Sequence, residues 1–142
     1  MYIDATIIKG KTKGFSCSIQ VTDGIANPDP SVVTHDNLLW TPVDLSDYAI
    51  GFKILGAPTA DAKVLVEKVI TANTDIETVG QITYPEEGQF TFVVTAEDTH
   101  EIGLGNHPIM LELLDLDSLT TEYTLTEGGR NGEYSKIQVV QV

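Results

Sequence analysis

Along much of the chain, apolar and polar residues alternate one for one. Phe15, Cys17, Ile19 and Val21 are separated by Ser16, Ser18 and Gln20. Tyr48, Ile50, Phe52 and Ile54 alternate with Ala49, Gly51 and Lys53, and Phe90, Phe92 and Val94 repeat the pattern within residues 88–95. A period of two sends successive side chains to opposite faces, so each run predicts a half-buried strand. Further strands are predicted over residues 3–9, 62–71, 76–84, 109–115, 122–126 and 134–142, where β-branched and aromatic residues crowd together. Turn-forming residues separate these runs at 12–14, 23–24, 56–58, 85–88, 103–108 and 128–132. Helical character is confined to residues 96–102, Ala-Glu-Asp-Thr-His-Glu-Ile, which predict one or two helical turns between strands. Many short strands punctuated in this way predict an all-β sandwich or barrel.

One stretch breaks the pattern. Residues 24–47 hold Pro28, Pro30 and Pro42, several Asn and Asp residues, and Trp40 within Leu38-Leu39-Trp40-Thr41-Pro42. The segment reads as a long irregular loop, and loops of this length usually carry function or contacts. Trp40 fits two roles. It could be a contact hot spot together with Leu38 and Leu39, or a plug closing one end of the fold, with the plug favoured. No repeat or low-complexity linker divides the chain, so residues 1–142 read as a single domain.

Composition narrows the functional classes. At 142 residues and 42% apolar content, a hydrophobic core is attainable without staples. The 21 acidic and 8 basic residues leave a net charge of −13. Such a surface repels nucleic acid and anionic lipid, whose recognition needs Lys and Arg. It suits a basic partner. No apolar run approaches the ~20 residues of a membrane helix, and the opening Met-Tyr-Ile-Asp does not read as a secretory signal. Cys17 has no partner for an internal disulfide. Its position on the apolar side of a strand predicts a buried, inert thiol.

Candidate chemistry is sparse. Residues 5–12, Ala-Thr-Ile-Ile-Lys-Gly-Lys-Thr, resemble a relaxed phosphate-binding loop. That chemistry needs a strand, a flexible loop and then a helix. Here the middle of the motif is itself strand-like and another strand follows, so a Lys-rich hairpin turn over residues 10–14 is expected instead. Gly103-Leu104-Gly105 lacks the third glycine of a dinucleotide fingerprint. His35, His100 and His107 have no ligand spacing, and a structural zinc site needs four nitrogen or sulfur donors. Asp115 and Asp117, or Asp23 and Asp29, could meet calcium, but no twelve-residue calcium loop surrounds them. No catalytic residue, cofactor or metal is therefore expected.

From about residue 44 onward the order of features is familiar. Asp44-Leu45-Ser46-Asp47 leads into the strand Tyr48-Ala49-Ile50-Gly51-Phe52-Lys53-Ile54. A second strand, Gly88-Gln89-Phe90-Thr91-Phe92-Val93-Val94-Thr95, is followed by the short helical turn. Then come Gly105-Asn106-His107-Pro108-Ile109-Met110-Leu111-Glu112-Leu113 and a closing pair over 120–128 and 134–142. This series resembles the N-terminal immunoglobulin-like domain of phage baseplate upper proteins, over about two-thirds of the chain. The resemblance implies an immunoglobulin-like antiparallel β-sandwich of about 7–9 strands. It also implies a structural role in a phage virion, in a head, neck, tail or baseplate. The partners would be other virion proteins, the domain would be a homo-oligomer or present in several copies in an assembly, and the family carries no catalytic residues. Leu38, Leu39 and Trp40 are the candidate contact residues, joined by Ile3 and Ile7 on a terminal strand whose edge could pair with a neighbour. The last segment, 134–142, offers a second such edge. The rival expectation is a carbohydrate- or surface-binding module that stacks a ligand on Trp40 and nearby tyrosines.

Overall fold

A computed structural model describes residues 1–25, 38–59, 61–126 and 133–142, with the side chains of residues 22–25, 38 and 39 outside the description. Among these residues the chain is built almost wholly of strands: β1 (Asp4–Ile8), β2 (Lys13–Ser18), β3 (Gln20–Ile25), β4 (Leu38–Pro42), β5 (Tyr48–Leu55), β6 (Val64–Ile70), β7 (Gly80–Tyr84), β8 (Gln89–Val94), β9 (Gly105–Asp115), β10 (Thr121–Thr124) and β11 (Lys136–Val140). The helix α1 spans Ala96–Ile102, the residues predicted for it. It starts on a capping box. The Thr95 hydroxyl accepts from the Asp98 N–H, and the Asp98 carboxylate accepts from the Thr95 N–H.

The larger sheet has six strands in the order β1-β11-β9-β5-β6, with β10 beside β9. A second sheet has the order β2-β8-β7, and β3 and β4 form a separate hairpin. The two sheets face one another across one core. The larger sheet supplies Ile50, Phe52, Ile54, Leu111 and Ile137, and the smaller supplies Ile82, Phe90, Phe92 and Val94. Phe52 meets Phe92 across the gap at 4.8 Å between ring centroids, and Phe92 stacks on Phe15 of the neighbouring strand at 4.9 Å. The fold is therefore all-β and sandwich-like, as the alternation predicts.

Three departures have physical causes. First, the larger sheet is mixed rather than antiparallel throughout, because β1 runs parallel to β11. The turn after β1 is accordingly not a hairpin: β1 belongs to one sheet and β2 to the other. Second, the alternating run 15–21 is two strands. β2 pairs with β8, the chain breaks step at Ile19, and β3 pairs with β4. The period of two survives a change of partner, so alternation alone cannot reveal it. Third, β4 lies inside the segment read as irregular. Pro42 suggested a break there, but it stands at the end of a strand, a position proline tolerates. Residues 26–37, including Pro28, Asp29, Pro30 and His35, lie outside the described residues.

Strand ends shift for similar reasons. Residues 76–79 are a turn, with the N–H groups of Val79 and Gly80 both donating to the Asp75 carbonyl. Conversely, β9 begins at Gly105 and includes Pro108. Its ladder with β5 runs only from Ile109 to Asp115, so Pro108 sits where β9 has passed the end of that neighbour. The missing N–H costs no ladder bond there.

Candidate functional site

An open cleft of about 710 Å³ lies between the β3–β4 hairpin and the β9–β10 pair. Its position follows from the change of partner at Ile19. Where the chain leaves β8 for β4, the β3–β4 hairpin forms a sheet of its own, and the cleft is lined by this hairpin together with β9 and β10. Ile19 is anchored at the hinge, donating to the Gly88 carbonyl at 2.9 Å and accepting from the Val43 N–H at 3.0 Å. Gly88 permits this junction. Its φ is +68°, and a Cβ there would stand 2.5 Å from the Ile19 carbonyl oxygen and 2.9 Å from that of Val43.

Met1, Ile19, Val43, Tyr48 and Leu125 form the floor, each partly buried against the core, with Leu113 among them. Ser18, Gln20 and Val21 contribute one wall, Trp40 the hairpin side, and Tyr123 and Thr124 the β10 side. No lining side chain is an acid or a base. Three large apolar or aromatic lining residues are exposed: Trp40 at 39%, Val21 at 48% and Tyr123 at 68%, with Val21 and Trp40 on opposite faces of their hairpin because they hold successive ladder pairs. Acidic groups adjoin the cleft along the chain: Asp44 next to Val43, Asp47 next to Tyr48 and Glu122 next to Tyr123, all exposed. The Asp44 carboxylate accepts from the Ser46 hydroxyl at 2.6 Å and the Ser46 N–H at 2.9 Å. These two bonds hold its pKa below the ordinary carboxylate value, so it stays ionised at neutral pH.

The candidate contact residues fare unequally. Trp40 is exposed at the cleft and is not a sealed plug, which corrects the favoured reading. Leu38 and Leu39 belong to β4 by backbone, and their side chains lie outside the described residues. Ile7 is a core residue at 2% exposure, because its strand position turns it toward the space between the sheets; it is no surface contact. Ile3 is half-buried and packs against the same core. Of the two proposed docking edges, β1 does end its sheet. Its Thr6 carbonyl accepts from the Lys13 ammonium at 3.1 Å, a charged side chain laid over an open edge. The edge assigned to the last segment disappears, since β11 lies between β1 and β9.

The motif lookalikes are absorbed by the fold. In residues 5–12 the Gly10 N–H donates to the buried Thr99 hydroxyl at 2.9 Å, and the Thr12 hydroxyl accepts from the Ala96 N–H at 3.0 Å. This turn thus braces α1, and no helix follows it. Asp115 Oδ1 accepts from the N–H groups of Asp117 and Ser118 and from the Ser118 hydroxyl, which is a self-contained turn. Among the described residues no three His, Cys, Asp or Glu side chains gather in a metal-binding group. Burial pushes the half-buried Cys17 thiol up to about 11, so it is protonated and unreactive at neutral pH. No helix among the described residues is long and apolar enough to cross a membrane.

Two features escaped the sequence. Tyr123 reaches the cleft only because β10 docks on β9. Lys68 lies opposite Phe52 in the ladder and so points inward. Its ammonium donates to the carbonyls of Thr78 and Val93 at 3.0 and 2.9 Å and to Asp98 Oδ2 at 2.5 Å. β6 carries apolar residues on both faces, so its sequence gives no sign of which face Lys68 takes.

A scan against protein-family models returns no match for this chain, and a search of curated proteins returns none either.

Proposed function

We propose that this domain is a structural component of a phage particle. In this reading it is an immunoglobulin-like adaptor or decoration domain, working through protein–protein contacts and not through catalysis. The observation that carries the contact role is the cleft lined by uncharged side chains, with Trp40 and Tyr123 exposed beside it. Exposed aromatic and apolar groups in a concavity, surrounded by polar surface, are the anatomy of an interface hot spot. The phage setting rests on the resemblance of residues 44–142, and the sandwich-like all-β fold is compatible with it. Purified virions analysed by mass spectrometry should contain the protein in a fixed copy ratio to the other structural proteins. Its absence from washed particles would sink the proposal.

The clustering of Trp40, Tyr48 and Tyr123 around one cleft also favours a second reading, a module that stacks a sugar ring on aromatic faces. Trp40 fluorescence separates the two. In the contact reading, soluble acrylamide quenches the exposed indole and simple oligosaccharides leave it unchanged.

A further inference from the structure

We infer that the cleft receives an extended, positively charged segment of a partner protein, which adds as a strand to the open side of β10. The inference rests on the contact reading above and specifies the partner's chemistry. β10 is the first observation. All four of its residues are exposed, and among the described residues it pairs only with β9. A strand that is paired on one side offers its remaining backbone N–H and C=O groups to an incoming chain. The second observation is that this strand forms a wall of the apolar cleft. A peptide added to β10 would project alternate side chains toward one face. The cleft beside β10 is lined by Trp40 and Tyr123, so the positions of the partner that enter it are apolar. The third observation is charge. The lining side chains are neutral and the Met1 ammonium among them is bonded to the Leu125 carbonyl, yet the chain carries −13 overall, and Asp44, Asp47 and Glu122 stand exposed beside lining residues. Lys or Arg flanking the apolar positions would meet these carboxylates. A second copy of the same acidic chain would meet like charge instead, which disfavours self-association here.

The test is to pan a display library of random linear peptides against the full chain, then measure the enriched peptides by Trp40 fluorescence and amide hydrogen exchange. Enriched peptides should alternate apolar residues between Lys or Arg flanks and lose affinity as salt rises. They should also slow exchange in Thr121–Thr124. Trp40→Ala should weaken them by about tenfold. Glu122→Lys should weaken them by about two- to fivefold. Both side chains lie outside the core cluster, so the unfolding midpoint of each variant should stay near that of the parent. Acidic or neutral winners, or protection at β1 or β6 in place of β10, would overturn the inference. If the protein is found in virions but no peptide is enriched, the inference fails and the contact reading stands. If oligosaccharides shift Trp40 fluorescence and peptides do not, both fail together.

Discussion

Lys68 illustrates how a single charged residue is made tolerable inside a β-fold. Its strand, β6, ends the larger sheet, and inward-pointing charge on an edge strand discourages pairing with other chains. Burial of an ammonium is costly unless its donors are satisfied, and here two carbonyls and a carboxylate satisfy three of them. Asp98 serves twice, as ion-pair partner and as the closing half of the α1 capping box. Removing one member of a buried pair strands the other and typically costs about 3–5 kcal/mol. Asp98→Ala should therefore lower stability by about that amount in urea denaturation. The double variant Lys68→Met, Asp98→Ala should lose less than the sum of the singles. A single-variant loss within experimental error of zero would show that the pair contributes nothing to the fold. Glu112 is settled more simply on the outer face of the sheet, against Lys53 at 2.8 Å and the Thr121 hydroxyl at 2.9 Å.

At the scale of elements, the cleft depends on the β2–β3 junction more than on any one strand. The chain stays extended through Ile19 while exchanging β8 for β4, and Gly88 lets the two backbones approach closely enough to hold the exchange. In Gly88→Ala the left-handed backbone alone costs about 1–2 kcal/mol. The added Cβ also pushes on the Ile19 and Val43 carbonyls. The variant should be destabilised by at least that much, and the amides of Ile19 and Val43 should exchange with deuterium faster than in the parent. Unchanged protection at both amides would mean that the junction does not rely on Gly88. The strands beside it were legible because their alternation is strong: β5 and β8 were expected within a residue or two of where they lie. The β3–β4 hairpin was not legible, because its pairing links residues 20–25 with 38–42 across a proline-rich interval and its local signals point to a loop.

For the whole molecule, a charge of −13 on a 142-residue chain sets two opposing responses to salt. Self-repulsion destabilises the compact state, and the screening length shrinks from about 30 Å at 0.01 M to about 8 Å at 0.15 M ionic strength. The free domain should accordingly gain a few degrees in Tm across that range, measured by calorimetry. Attraction to a basic partner is screened by the same ions, so association should weaken as stability rises. A Tm that falls with added salt would contradict the repulsion argument.

By itself, the amino-acid sequence determined that this protein is all-β, where most of its strands run, where its short helix lies and that its surface is acidic. Those properties depend on residue type and on spacing over a few positions, and both are written locally. The tertiary structure alone decided which strands share a sheet, that β1 runs parallel to β11, that Ile7 faces inward and that Trp40 stands open beside Tyr123. Each of these depends on the register between segments distant in the chain. A strand that carries apolar residues on both faces, as β6 does, is compatible with either being buried until its neighbour is in place.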